Sequence, residues 1–150
     1  MLDIEIIAVT TQEQLQQCLN IRKAVFVEEQ NVPLELEVDE YDESPNACSH
    51  ILIRSAGENA ATGRHKPYDS ETAKMQRIAV LKLYRGTGLG RILLEALEQS
   101  AREQGFRAAK LDAQLQARAF YEKCGYEVVS EDVFLDAGIP HVTMKKYLQH

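Results

Sequence analysis

The sequence of 150 residues predicts a mixed α/β protein, in which helices cover both faces of one sheet. Three observations predict this class. Strand-like and helix-like stretches alternate, with about seven strands and three or four helices. A strand, helix, strand, helix run in the middle requires helical crossovers, which make the strands that they join parallel. Finally, 45% hydrophobic content fills one core and no Pro/Gly/Ser-rich linker divides the chain, so we expect a single domain of residues 1–150.

The N-terminal part begins with a predicted strand at residues 3–9. Thr11 and Gln14 then form the capping-box pattern that opens a helix. The core-facing side of this helix is indicated by residues that recur at helical spacing: Leu15, Cys18, Leu19, Arg22, Val25 and Phe26. Two short strands, at residues 50–55 and about 60–65, are separated by Ala-Gly-Glu-Asn, which is typical of a hairpin turn.

The middle of the chain predicts a strand at residues 74–81, a long helix and a strand at 110–115. Apolar residues repeat every four positions along the helix: Leu89, Leu93, Leu97 and Ala101. Gly105 stands where a helix commonly ends.

The C-terminal part predicts a short helix that Gly125 ends, followed by two strands at residues 126–135 and 141–147. One face of the helix carries Ala117, Phe120, Tyr121 and Cys124. The turn Asp-Ala-Gly-Ile-Pro-His joins the two strands. An exposed sheet edge here would make a homodimer unsurprising.

Charge and composition exclude several classes of partner. The formal net charge of −6 argues against binding of nucleic acid or of an anionic membrane, since both need clustered positive charge. The N-terminus lacks the basic region of a signal peptide, and no apolar run is long enough to cross a bilayer. Cys18, Cys48 and Cys124 form no metal-binding spacing, so we expect reduced thiols, no metal and a cytoplasmic location.

A glycine-rich turn, Arg85-Gly86-Thr87-Gly88-Leu89-Gly90, joins a predicted strand to a predicted helix. Its glycines let the backbone approach a ligand closely, and the N–H groups and dipole of the helix favour an anion such as pyrophosphate. Arg85 and Arg91 flank the turn and are suited to phosphate contacts. The Walker and dinucleotide-binding patterns both fail here. The alternative is a plain turn whose glycines serve packing alone.

With the preceding strand Gln76-Arg77-Ile78-Ala79-Val80, this turn resembles the R/Q-x-x-G-x-G/A signature of the GNAT family of N-acetyltransferases, which bind acyl-coenzyme A. The resemblance implies a mostly antiparallel seven-stranded sheet with a parallel, splayed central pair. It also implies that Ile78, Ala79 and Val80 lie along the pantetheine arm. The residues implied to hold the pyrophosphate are Arg85, Gly86, Thr87, Gly88, Leu89, Gly90 and Arg91.

Further stretches extend the resemblance over nearly the whole chain. AFYEKCGYEVV at residues 119–129 resembles a second family motif, in which a tyrosine lies near the thioester sulfur. That tyrosine is Tyr121 here, with Phe120 beside it in the expected coenzyme site. The family usually has asparagine seven residues earlier, where this chain has Gln114. The segments that resemble the small ElaA-like branch are RKAVFVEEQNVP (22–33), DAQ (112–114) and GIPHVTM (138–144).

The chemistry implied is direct transfer of an acetyl group from acetyl-coenzyme A to an amine. The N–H of Val80 is a candidate donor to the oxyanion, and Tyr121 is a candidate general acid for the departing thiolate. On spacing alone, Tyr121 also suits a plain core aromatic. A lysine-like amine has a pKa near 10.4 and must lose a proton, for which Glu28 is the first candidate base, before Glu37 and Asp39.

Those carboxylates belong to an acidic stretch at residues 28–43, which is either a solvated loop or a mouth that attracts a cationic acceptor. His141 is a candidate acceptor contact or a structural hydrogen-bonding residue. The leading hypothesis is an N-acetyltransferase for a small-molecule or peptide amine. The competing hypotheses are a non-catalytic acyl-coenzyme A sensor and an interaction protein that binds a basic partner through the acidic stretch.

Overall fold

The computed structural model describes residues 3–149. All its strands belong to one sheet, whose order is β1-β2-β3-β4-β5-β8-β6, with β7 pairing to β8 beside this path. The strands are β1 (Ile4–Ala8), β2 (Ser49–Ser55), β3 (Glu58–Pro67), β4 (Thr72–Val80), β5 (Ala108–Gln114), β6 (Glu127–Val128), β7 (Phe134–Asp136) and β8 (Ile139–Tyr147).

Four α-helices pack on this sheet: α1 (Gln12–Arg22), α2 (Leu34–Glu37), α3 (Leu89–Glu103) and α4 (Arg118–Lys123). A π-helical segment, Lys23–Glu29, continues α1. Single 3₁₀ turns occupy Glu40–Asp42, Lys82–Tyr84 and Leu115–Ala117. No helix within residues 3–149 is both long enough and apolar enough to cross a membrane.

The predicted capping box at the start of α1 is confirmed. The Gln14 N–H donates to Thr11 Oγ1 at 3.1 Å, and the Thr11 N–H donates to Gln14 Oε1 at 3.2 Å. These reciprocal bonds satisfy two of the N–H groups that a helix leaves unpaired at its first turn. Thr11 and Gln14 therefore determine where α1 begins.

The two central strands, β4 and β5, diverge. They pair in parallel over only three positions, from Thr72 opposite Ala108 to Lys74 opposite Lys110, whereas the other strand pairs are antiparallel. Helix α3 forms the crossover between them. The expected mixed sheet with a parallel, splayed central pair is therefore confirmed.

A β-bulge in β4 contributes to this divergence. Thr62 pairs with Ala79 and Arg64 pairs with Gln76, so Gly63 alone faces two residues of β4. One of them, Arg77, has a φ of +56°. A bulge of this kind bends its strand and redirects a side chain. The Arg77 guanidinium is thereby brought to α2, where its Nε donates to the Glu37 carbonyl at 3.1 Å.

Each face of the sheet has its own apolar core. The predicted face of α3 is confirmed, because its four apolar repeats are buried with 2% exposure or less. They pack with residues of the central strands such as Leu111, Val142 and Met144. On the other face, Leu15, Cys18, Ile21 and Val25 pack on Leu52, while Leu19 and Phe26 lie partly buried at the margin.

The predicted strand at residues 126–135 is wrong in its continuity. The structure has two short strands, β6 and β7, at its ends. Between them, Ser130 Oγ hydrogen-bonds both the Asp132 carboxylate, at 3.0 Å, and the Asp132 N–H, at 3.2 Å. This local side-chain bonding competes with ladder pairing, so the sheet has eight strands where seven were expected.

Candidate active site

The divergence of β4 and β5 opens a cleft of about 370 Å³. The π-helical segment and α2 line one wall, and the β7–β8 hairpin and α4 line the others. The residues that line the cleft include Gln30, Glu37, Arg77, Val80, Arg85, Asp112, Gln114, Tyr121, Asp136 and His141. Ile78 and Ala79 also line it.

The glycine-rich turn leaves the N-terminus of α3 without a side-chain cap. Gly86 and Gly88 have φ values of +78° and +86°, and an added Cβ at either position would meet no atom within 4 Å. These two glycines therefore serve backbone conformation rather than packing. The first helical bond runs from the Ile92 N–H to the Gly88 carbonyl at 3.2 Å. The N–H groups of residues 89–91 have no hydrogen-bond acceptor within residues 3–149, so an anion bound there would be stabilised.

Gly90 has the packing role that the alternative interpretation gave to the whole turn. A Cβ there would lie 3.3 Å from Phe120 Cζ. Phe120 does not reach the cleft itself, but it packs α4 against the first turn of α3. Tyr121, the next residue, is positioned by the same contact.

The two arginines that flank the turn are engaged differently. Arg85 forms a two-pronged ion pair with Glu29, at 2.8 and 2.9 Å, and donates to the Val80 carbonyl at 2.9 Å. Its hydrogen bond holds the pKa of Glu29 below the ordinary value. Arg91 pairs with Glu95 on the exposed surface of α3 at 3.3 Å. Exposed pairs such as these contribute little, so both guanidinium groups are free to exchange partners.

The backbone of Val80 faces the cleft. The Leu81 N–H donates to the Ala60 carbonyl at 2.9 Å, and Val80 lies opposite Ala61 in the ladder. Because successive residues of an antiparallel strand direct their N–H groups to opposite sides, the Val80 N–H points away from β3. It therefore points toward the gap between β4 and β5.

Tyr121 combines a packed ring with a free hydroxyl. Its ring meets Phe120 and Tyr126 edge-on, with centroid distances of 5.2 and 6.0 Å. Its hydroxyl makes no hydrogen bond within residues 3–149 and the side chain lines the cleft. Burial raises the pKa of Tyr121 to about 12, so the hydroxyl keeps its proton at neutral pH. Tyr121 is therefore a packed aromatic that lines the cleft, and its role as a proton donor stays a prediction.

An ionic cluster lies beside α2 and contributes Glu37 and Arg77 to the lining of the cleft. Glu37 and Asp42 are buried at 4% and 5% exposure, and Arg22 contacts both, at 2.6 Å and 2.7 Å. The Arg64 guanidinium lies 2.7 Å from an Asp39 carboxylate oxygen and 2.9 Å from an Asp42 carboxylate oxygen. The six members balance in charge: Arg22, Arg64, Arg77, Glu37, Asp39 and Asp42.

The cluster shifts the ionisation of its carboxyls in opposite directions. Burial alone raises the pKa of Asp42, but the hydrogen bond and charge of Arg22 outweigh it and hold the pKa well below the usual range. For Glu37 burial dominates and raises the pKa, although Arg22 and Arg77 partly oppose it. The acidic stretch is therefore only partly a solvated loop: Glu28, Glu35, Glu40 and Glu43 are exposed, whereas the cluster members are neutralised by arginines.

The three carboxylates considered for the base are not brought together at the reaction gap. Glu28 is exposed and does not line the cleft, and Asp39 is committed to Arg64. Glu37 lines the cleft, but one of its oxygens accepts from Arg22 at 2.6 Å and the other lies 3.2 Å from Arg77.

Gln114 and His141 lie opposite one another in the β5–β8 ladder and both line the cleft. Gln114 Nε2 donates to Gln30 Oε1 at 2.9 Å, which ties β5 to the end of the π-helical segment. The imidazole of His141 is 7% exposed and its Nδ1 lies 2.6 Å from the Ile139 carbonyl.

Sequence reasoning missed several cleft residues. No local sequence pattern marks Arg77 as a cleft residue, because its position depends on the bulge in β4. Asp112 pairs with Lys74 at 3.3 Å across the diverging strands, and Asp136 stands at the predicted hairpin turn. Among the described residues 3–149, no three His, Cys, Asp or Glu side chains group so as to hold a metal ion.

A protein-family model described as an acetyltransferase (GNAT) domain matches residues 12–148. The chain therefore belongs to the GNAT acetyltransferase family, whose members bind acetyl-coenzyme A or coenzyme A.

Individual relatives agree with this assignment. The chain is 44% identical over 135 residues to the uncharacterised N-acetyltransferase YjcF of Bacillus subtilis, covering 90% of this chain and 94% of the relative. It superposes on Escherichia coli ElaA with a TM-score of 0.81 and 29% identity, covering 97% and 99% of the two chains. An acyl-CoA N-acyltransferase from Pseudomonas aeruginosa gives a TM-score of 0.82 and 28% identity, with the same coverage.

Proposed function

We propose that this chain, acting as a single domain, transfers the acetyl group of acetyl-coenzyme A to a primary amine of a small molecule or peptide. The observation that carries the proposal is the cleft between β4 and β5, which is lined both by Arg85 of the glycine-rich turn and by Tyr121 with its free hydroxyl. The turn leads directly into the uncapped N-terminus of α3. An anion-binding end and a proton donor along one channel suit a thioester that carries a diphosphate. A cytoplasmic location, with the three free thiols reduced, belongs to the same proposal.

The coenzyme would bind along the turn and β4. The pyrophosphate would accept hydrogen bonds from the N–H groups of residues 86–91, while Arg85 and Arg91 exchange their exposed ion pairs for phosphate oxygens. The pantetheine arm would lie against Ile78, Ala79 and Val80 at the unpaired edge of β4. Gln114 would border the same channel, and Phe120 would support the coenzyme site from outside the cleft through its contact with Gly90.

Transfer would proceed by direct attack. The amine nitrogen forms a bond to the thioester carbonyl carbon, and the Val80 N–H donates to the oxygen as it gains negative charge. The C–S bond then breaks, and the sulfur takes the proton of the Tyr121 hydroxyl. The proton that the nitrogen loses to a base returns through solvent to the tyrosinate. Because an ordinary thiol has a pKa near 8.5, a donor close to the sulfur assists its departure at neutral pH. Holding both reactants in one cleft supplies the alignment that replaces a covalent intermediate.

The acceptor would occupy the side of the cleft lined by α2 and the β7–β8 hairpin. There the charges of Glu37 and Asp39 are neutralised by Arg22 and Arg64, and Glu37 and His141 line the cleft. Use of Glu28 as a base would require its segment to move toward the gap, since the side chain is exposed. The alternative of a non-catalytic sensor has no observation in its favour.

The proposal is tested by release of coenzyme A from acetyl-coenzyme A, measured with a thiol reagent. The acceptors would be spermidine, tyramine, lysine and a peptide with a free N-terminus. We expect turnover that depends on one of these amines and exceeds hydrolysis in buffer. Coenzyme binding without turnover for any of them would favour the sensor.

A further inference from the structure

The imidazole of His141 is held in one orientation by two contacts. Its Nδ1 lies 2.6 Å from the Ile139 carbonyl, and its ring stacks on Phe134 with a centroid distance of 5.9 Å and an interplanar angle of 23°. A carbonyl oxygen can only accept, so Nδ1 must carry the proton. In the neutral ring, Nε2 is then left with its lone pair, and no described residue within 3–149 donates to it.

The strand position of His141 directs this lone pair to the acceptor side of the sheet. Its neighbour Val142 belongs to the core beneath α3 and α4, so His141 lies on the opposite face. Gln114 and Asp112 of β5 share that face, since Thr143 Oγ1 donates to Asp112 Oδ1 at 3.0 Å. Tyr121 packs against the core on the other face. The gap between β4 and β5 therefore has a proton donor on one side and an unprotonated nitrogen on the other.

The other proton acceptors that line the cleft are less suited to this role. Glu37 is engaged by two arginines, and Asp112 by Lys74 at 3.3 Å and by Thr143. Asp136 is exposed at the hairpin. Compared with these carboxylates, Nε2 of His141 combines a free lone pair with a buried and fixed position.

We propose that Nε2 of His141 is the general base of the reaction, an inference that rests on the proposed acetyl transfer. As the amine nitrogen bonds to the carbonyl carbon, Nε2 takes the proton that the nitrogen loses, and the ring becomes an imidazolium that still donates from Nδ1 to Ile139. The thiolate receives its proton from Tyr121, and solvent returns the imidazolium proton to the tyrosinate. The net change is transfer of one proton from nitrogen to sulfur.

The test compares kcat/KM as a function of pH in the wild type and in H141N, with acetyl-coenzyme A and the best acceptor of the amine panel. The asparagine amide can still donate from the Nδ1 position to Ile139 but has no basic nitrogen at Nε2. K145Q is the control, because Lys145 lies on the same face of β8 without lining the cleft.

We expect H141N to lower kcat/KM by about 100-fold or more near pH 7.5. The limb of the profile that reports on the general base should disappear, leaving only the limb of the amine itself near pH 10. KM for acetyl-coenzyme A should stay unchanged. The charged groups that share the cleft, the Lys74–Asp112 and Arg77–Glu37 pairs and Asp136, remain in the variant, so loss of the limb would report on the imidazole.

Three results would overturn this inference. If H141N retains its activity and an unchanged pH profile, the base is another group, although the proposed transferase stands. If nitrogen-15 NMR of the wild type places the neutral-ring proton on Nε2, the lone pair needed here does not exist, whatever the activity. If the wild type binds coenzyme A but acetylates no amine of the panel, the proposed function fails and this inference fails with it.

Discussion

Phe120 closes against Gly90, where a Cβ would lie 3.3 Å from the Phe120 Cζ atom. This contact joins the helix end that is proposed to hold the coenzyme phosphates to the helix that carries Tyr121. The position of the proposed acid therefore depends on the position of the proposed anion site.

The hydroxyl of Tyr121 is expected to act in the chemical step rather than in binding. Tyr121→Phe removes the proton donor and leaves the ring packing on Phe120 and Tyr126 intact. We expect kcat to fall by about 100-fold while the Kd for coenzyme A changes by less than about threefold. Tyr147→Phe, at an exposed position, is the matched control and should leave both unchanged. Full activity in the Tyr121 variant would remove this residue from the mechanism.

The raised pKa of Tyr121, about 12, predicts the basic side of the pH profile. A tyrosine with an ordinary pKa near 10 would lose its proton as the pH rises through 10, and the general acid of the reaction would then be lost. Because burial disfavours the tyrosinate, kcat should not decline until the pH passes well above 10. A decline in kcat centred near pH 9, reversible on return to neutral pH, would contradict this assignment.

Gly88 should be required for the coenzyme rather than for stability. Gly88→Ala and Gly57→Ala both place a Cβ at a positive φ, +86° and +82°, with no neighbour within 4 Å. Each should lower the free energy of unfolding by about 1 kcal/mol. Only the Gly88 change projects into the proposed phosphate site, so it should weaken coenzyme A binding by about tenfold or more. Calorimetric titration that finds equal Kd values for both variants would place the coenzyme elsewhere.

The ionic cluster should stabilise the fold beneath the acceptor side. Asp42→Asn leaves the buried Arg22 and Arg64 guanidinium groups short of one negative charge, which should cost about 3 kcal/mol in urea unfolding. Glu40→Gln removes a neighbouring but exposed carboxylate and should change the free energy of unfolding by less than about 0.5 kcal/mol. Similar small effects for the two variants would show that Asp42 is not a buried charge partner.

His65 should make the fold sensitive to acid. It is buried, its Nε2 lies 2.9 Å from Ser100 Oγ, and its Nδ1 has no hydrogen-bond partner among residues 3–149. Burial lowers its pKa to about 4, whereas the unfolded chain takes up this proton near pH 6.5. The contribution of neutral His65 to the free energy of unfolding is therefore complete above pH 6.5 and is lost as the pH falls toward 4. It amounts to roughly 3 kcal/mol.

The measurement for His65 is denaturant unfolding at pH 7.5 and pH 4.5, in the wild type and in His65→Gln. The wild type should lose more stability between the two pH values than the variant, because the other titrating groups are common to both. Equal losses would mean that His65 does not remain neutral in the folded protein.

Local patterns in the sequence account for much of the fold. The four-residue repeat that begins at Leu89 predicted α3 and its buried face, and Thr11 with Gln14 predicted the start of α1. These features depend on neighbours a few residues apart, which a single sequence displays. The glycine-rich turn and Tyr121 were also predicted from local motifs, and Arg85 of this turn and Tyr121 line the same cleft.

Features that depend on distant partners were not predictable. The acidic stretch gave no sign that Arg22, Arg64 and Arg77 would neutralise it, because those partners come from α1, β3 and the bulge in β4. The exposed position of Glu28 likewise depends on the π-helical continuation of α1. The break in the strand at residues 126–135 follows from side-chain bonds between Ser130 and Asp132 that the alternating pattern hides.

The most direct test of the account is a crystal structure of the protein with coenzyme A. We expect pyrophosphate oxygens within about 3 Å of the backbone nitrogens of residues 86–91, and the thiol sulfur within about 4 Å of the Tyr121 hydroxyl. A coenzyme bound outside the gap between β4 and β5, or a thiol directed away from Tyr121, would contradict it.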